Sequence, residues 1–213
     1  MGIAAFKRPL SIVGALALFV LGAGQAAAGS CNAEINFYLV FNQGNLDLAL
    51  TPPGTGTAAY VDSPALSKAG GNPWREIGEW ESYIGSSNGG GQACLFAGFS
   101  PLNVWLGLRN SDDQGTNFDL LAEVLVNDTV IASGERDCIK GLTRNPALAQ
   151  EITQDIFLKP LPPSLDGEIS LRLSARIGTG PSCTGHSSAT GLRVYYNSAD
   201  RDSFFDVIIT GGT

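Results

Sequence analysis

The residues of this chain that could do chemistry are few, and the densest group lies at positions 110–119. Asn110-Ser111-Asp112-Asp113-Gln114-Gly115-Thr116-Asn117-Phe118-Asp119 offers several hard oxygen donors beside a glycine, the ligand type a calcium ion takes. Asp112, Asp113, Asn117 and Asp119 are the candidate ligands. The EF-hand spacing D-x-[DN]-x-[DN]-G is absent, and the same residue types build ordinary turns. A bound calcium and a plain loop are therefore both open. Asp200, Asp202 and Asp206 form a second, looser acidic group.

Signals for hydrolysis are weaker. Gly185-His186-Ser187-Ser188-Ala189 comes close to a G-x-S-x-G nucleophile elbow, which requires a strand-to-helix turn and a separate base. The chain holds one histidine, already inside that motif, and a strand pattern rather than a helix follows it. Glu76, Glu79, Glu81, Asp119 and Glu123 could supply a glycosidase pair, since any two acids at a suitable separation could serve. Nothing in their spacing singles out two of them.

Binding chemistry rests on alternation. With Val104, Leu106 and Leu108 facing a core, Trp105 and Arg109 point to the other side of their strand. Arg193 and Tyr195 likewise oppose Leu192, Val194 and Tyr196, and Arg172 and Arg176 oppose an apolar face. Gathered on one sheet, Trp105, Arg109, Arg193 and Tyr195 would make a surface for stacking on sugar rings or anchoring a protein. The competing expectation is a covered face with its arginines paired to Asp119 and Glu123.

Positioning these groups falls to strands. The apolar period is two along 35–41, 46–50, 102–109, 118–126, 169–177 and 192–196, with further strands at 74–80, 130–132, 153–158 and 204–209. Gln43-Gly44-Asn45 and Asn127-Asp128 read as turns. The stripe Trp74, Ile77, Trp80, Ile84 also fits a helix, but Gly78 and the flanking Gly and Pro favour a strand. Asn145-Pro146 reads as an N-cap and first-turn pair opening one or two helical turns. The 27 glycines and 11 prolines fall mostly between apolar runs. The expected fold is all-β: a single antiparallel β-sandwich, jelly-roll-like and disulfide-bonded.

The first 28 residues read as a signal peptide: Lys7 and Arg8, an apolar run over 10–21, then Ala26-Ala27-Ala28. That run is short for a membrane span, so no span is expected after cleavage and residues 29–213 form one domain. Export puts the protein in the periplasm, at the cell surface or outside the cell. There the scattered cysteines Cys31, Cys94, Cys138 and Cys183 read as two disulfides rather than a zinc site. Three pairings are possible; Cys31 with Cys94 and Cys138 with Cys183 is favoured. The net charge is −7, and the leader removes two of the 13 basic residues but none of the 20 acidic ones. Nucleic acid is therefore not an expected partner.

From Val104-Trp105-Leu106-Gly107-Leu108-Arg109-Asn110-Ser111-Asp112-Asp113 through Phe118-Asp119 and Ala122-Glu123-Val124, the chain resembles a group of uncharacterised exported bacterial proteins. The likeness continues through Cys138-Ile139, Thr143-Arg144-Asn145-Pro146, Arg176-Ile177-Gly178 and Gly191-Leu192-Arg193-Val194-Tyr195-Tyr196. It implies a bacterial source and a shared domain, and no activity. The expected function is a non-catalytic exported binding module for carbohydrate or a surface protein. The alternatives are a structural component of the envelope or extracellular matrix and a secreted, glycosidase-like hydrolase.

Overall fold

The structure, a computed structural model, describes residues 33–55, 58–84, 94–160 and 167–211. These form β1 (Ala33–Asn42), β2 (Asn45–Ala49), β3 (Ala59–Asp62), β4 (Leu66–Ser67), β5 (Arg75–Ile84), β6 (Cys94–Phe99), β7 (Leu102–Leu108) and β8 (Phe118–Val126). They continue with β9 (Thr129–Ile139), β10 (Gln150–Gln154), β11 (Phe157–Leu158), β12 (Gly167–Ile177), β13 (Ser188–Ala189), β14 (Leu192–Tyr196) and β15 (Phe204–Gly211). Single 3-10 turns lie at Ser111–Asp113 and Pro146–Leu148.

The strands pair in the order β11-β9-β8-β12-β5-β2-β1-β15-β7-β14-β3, with β10 on β7 and β6 on β15. All pairing is antiparallel except one parallel contact of β2 with β5, at Asp47 and Glu81. That contact is the seam where the path folds on itself into a β-sandwich. One layer is β11-β9-β8-β12-β5; the other is β2-β1-β15-β7-β14-β3 with its attached β6 and β10. Trp80 of β5 and Tyr196 of β14 meet edge-to-face across the interior, ring centres 5.6 Å apart.

Period two explains the layering. Leu171, Leu173 and Ala175 of β12 and Val104, Leu106 and Leu108 of β7 are fully buried in the shared core. Each such Leu contributes about 1.5–3 kcal/mol by leaving water. Two hairpins close as read: Gln43-Gly44 and Asn127-Asp128 both have positive φ at the two central positions, as a type I′ turn requires. The ambiguous segment near Trp74 is strand from Arg75 onward.

Strands β3, β4, β6 and β13 lie where none was expected, and two expected elements take another form. The run 153–158 is not one strand: β10 pairs with β7, and β11 pairs with β9 in the other layer. The chain changes layers at Asp155 and Ile156, and Ile156 stays buried because it sits at that corner. The Asn145-Pro146 signal makes one 3-10 turn only, with Asn145 Oδ1 accepting from the Ala147 N–H at 3.0 Å.

Cys138 and Cys183 form a disulfide, as favoured, tying the end of β9 to the loop after β12. The other expected pairing involves Cys31, which lies outside the described residues, as does the signal peptide. No helix among the described residues is long and apolar enough to cross a membrane.

Candidate functional site

The outward side of β3-β14-β7 carries the aromatic and arginine residues. Register sets Tyr60 opposite Tyr195, Tyr195 opposite Trp105, and Trp105 opposite Glu151. Directly opposed residues share a face, so these four side chains form one row. In the next row Asp62 faces Arg193, and Arg193 faces Gly107. A Cβ at Gly107 would lie 3.0 Å from Cε2 of Tyr195, so the glycine lets that ring lie flat across the neighbouring strand.

Trp105, Arg193 and Tyr195 are thus brought together, and Arg109 lies just past the end of β7. Tyr195 is almost fully buried, whereas Tyr60 beside it is 51 % exposed. Their rings meet edge-on with centres 6.3 Å apart. Arg193 Nε and Nη2 donate to Asp62 Oδ1 and Oδ2 at 2.7 and 3.0 Å. Its guanidinium also lies 3.6 Å from the centre of the Tyr60 ring. The Asp62 bond holds the Arg193 proton more tightly than usual, against the opposing effect of burial. Arg193 is therefore a fixed cation under the exposed ring, not a free side chain. The Trp105 N–H and Tyr195 O–H have no partner among the described residues.

Arg109 is half exposed. Its Nη1 donates to the Ser63 carbonyl at 3.3 Å, and its Nε lies 3.7 Å from Asp62 Oδ2. Asp62 so links both arginines. Beyond it opens a cleft of about 470 Å³ lined by Ala65, Arg109, Asn110, Arg144 and Thr190.

Three loops are pinned to form that cleft. The Leu108 N–H donates to the Thr143 carbonyl at 2.8 Å, which places Arg144, and the Arg109 N–H donates to the Gly191 carbonyl at 3.1 Å. Gly191 has φ +127°, and a Cβ there would meet Ser63 Oγ at 2.2 Å, so only glycine lets the chain pass.

The four candidate calcium ligands serve separate protein donors. Asp113 accepts from the Thr190 N–H at 2.9 Å, the Thr190 hydroxyl and the Gly191 N–H. Asn117 Oδ1 accepts from the Thr184 N–H at 2.6 Å. Asp112 is bonded to Asn110 at the 3-10 turn. Asp119, fully buried, accepts from the Cys138 N–H at 2.9 Å, Arg176 Nε at 3.0 Å, and the Thr179 N–H and hydroxyl at 3.1 and 2.9 Å. These bonds stitch the 110–119 segment to residues 179–191. Asp119 also lies near Glu135 and Asp137 with ligand atoms within 4.8 Å, but Arg176 already occupies that group through both Asp119 and Glu135.

The opposite layer's outer face is occupied by ion pairs. Arg172 Nη2 lies 2.8 Å from Glu79 and Arg172 Nε 3.7 Å from Glu76; Glu79 also accepts from the Ser170 hydroxyl. Arg176 pairs with Asp119, as expected, and stacks over Trp74 at 4.1 Å. Glu123 lies across the ladder from Arg172. Glu81 titrates above the ordinary carboxylate range, through burial first and then through Glu168, Glu79, Asp128 and Asp47.

In the serine motif, Ser188 opens the short strand β13 paired with β4. A strand, not a helix N-terminus, follows, so the oxyanion geometry of an elbow is missing there.

Sequence reasoning missed Tyr60, Asp62 and Arg144. Ala59 and Val61 alternating with Tyr60 and Asp62 was the available signal; four residues beside a Gly/Pro run made it short.

No protein-family model matches the chain, and neither does any curated protein sequence. Among solved structures, a CocE/NonD family hydrolase from Staphylococcus aureus is similar at 14 % identity and a TM-score of 0.48. The match covers 84 % of this chain and 37 % of that one.

Proposed function

We propose that this protein is an exported, non-catalytic β-sandwich module that binds carbohydrate on the outward side of β3-β14-β7. The observation that carries the reading is the row Tyr60, Tyr195 and Trp105, with half-exposed Tyr60 braced from below by Arg193. An exposed ring held rigid in this way offers an apolar face to the C–H side of a sugar at little entropic cost. Polar groups on the same face could orient the sugar's hydroxyls: Asp62 on the strand of Tyr60, Arg109 beside Asp62, and Glu151 at the far end of the row. The leader-like first 28 residues and the disulfide both fit an oxidising compartment. A non-catalytic role fits the acids, since Glu79 and Asp119 are spent on arginine and hydroxyl donors.

A glycan panel presented to the wild-type protein and to Tyr60→Ala tests this. The expected result is at least one retained saccharide, with affinity falling about tenfold on loss of the ring. A panel with no retained saccharide overturns the carbohydrate reading.

A further inference from the structure

We propose that the cleft between Arg109 and Arg144 takes a carboxylate, so that the saccharide bound here is acidic and carries a uronic-acid residue. This rests on the proposed binding face and names the chemistry of its ligand. The cleft is open to solvent, so it would receive one end of a larger ligand rather than enclose a small one. Two guanidinium-bearing side chains line it, and no acid does. The acids that border it are already partnered: Asp62 by Arg193, Asp113 by the lining Thr190 and by Gly191, and Asp112 by the lining Asn110.

Each arginine is available. Arg109 is steadied by the Ser63 carbonyl and by Asp62 at 3.7 Å, yet its side chain stays 46 % exposed. Arg144 is exposed and forms no ion pair among the described residues. Such forked donors match a carboxylate two bonds at a time. The surroundings sharpen the point, because a chain with 20 acidic and 13 basic residues repels anions at long range. Nonspecific anion binding is thus disfavoured everywhere except where cations converge. Asp62 joins Arg109 to Arg193, and Arg193 underlies Tyr60. One saccharide could therefore stack on Tyr60 and extend its carboxylate towards Arg109 and Arg144.

Calorimetric titrations with trigalacturonate, its fully methyl-esterified form and hexaglutamate test the inference, using wild type and Arg144→Gln. Arg144 is exposed, so its replacement is expected to leave the melting temperature unchanged. The acid should bind at least about tenfold more tightly than the ester. Arg144→Gln should remove most of that preference and leave the ester's affinity alone. Equal affinity for acid and ester overturns this inference while leaving the carbohydrate face standing. Hexaglutamate bound as tightly as trigalacturonate overturns the saccharide class in favour of acidic peptides. Absence of binding to all three overturns the inference, and the glycan panel then decides separately whether the face binds any sugar.

Discussion

Replacing Asp119 by alanine removes the acceptor at the centre of the loop-bearing end of the sandwich. The carboxylate is fully buried and receives four bonds, from the Cys138 N–H, Arg176 Nε, and the N–H and hydroxyl of Thr179. Breaking a buried charge pair typically costs about 3–5 kcal/mol. Here the cost falls at the low end, about 3 kcal/mol, because Arg176 keeps Glu135 at 2.6 Å, its place over Trp74, and partial exposure. Much of the loss comes from two main-chain N–H groups left without an acceptor. Asp119→Asn should cost about as much, since its amide N–H₂ must face a donor on one side or the other. Urea unfolding followed by tryptophan fluorescence reads both variants. Melting curves in excess calcium and in chelator should coincide for the wild type, because Arg176 and backbone donors hold the oxygens a cation would need. An Asp119→Asn protein within about 1 kcal/mol of wild type would rule out this role for the carboxylate, as would a calcium-dependent rise in melting temperature.

Two further outcomes follow from the same framework. The disulfide spans 45 residues, so Cys138→Ala with Cys183→Ala should lower stability by about 4 kcal/mol on the chain-entropy account. Protease nicking should then concentrate between residues 178 and 191; an unchanged urea midpoint contradicts this. Glu81 has its folded pKa raised above 4.5, by burial and then by its acidic neighbours. The folded state therefore holds more protons than the unfolded one between 4.5 and that raised value, so stability falls as pH rises through this window. Glu81→Gln should stabilise slightly at pH 7, by less than about 0.5 kcal/mol after solvent screening, and the gain should vanish below pH 4.5. Urea midpoints of both proteins across pH 4 to 7 check the sign.

The layers were legible because burying one face of a strand writes period two into the sequence, as in 169–177 and 102–109. Which side Trp105, Arg193 and Tyr195 take followed from the same rule, and the register of β14 on β7 confirms that they share a face. Exposure did not follow from it. Tyr195 reads as outward yet is covered by its neighbours, while Tyr60, on a four-residue edge strand, is the accessible ring. Alternation gives direction within a strand and says nothing of what the next strand or loop lays over it. The same limit applies to 110–119: its composition suits calcium or turns equally, and only the long-range partners Thr184, Thr190 and Arg176 distinguish the uses. Ion pairs such as Asp62 with Arg193 join residues 131 positions apart, a separation no local pattern encodes.

The carbohydrate face is tested most directly by titrating the saccharide best retained on a glycan panel against wild type, Tyr60→Ala and Trp105→Ala, with melting curves to confirm folding. Tyr60→Ala is expected to weaken binding about tenfold or more and Trp105→Ala to weaken it less, while both proteins remain folded. Undiminished binding by a folded Tyr60→Ala protein would contradict this expectation and move the site off this face.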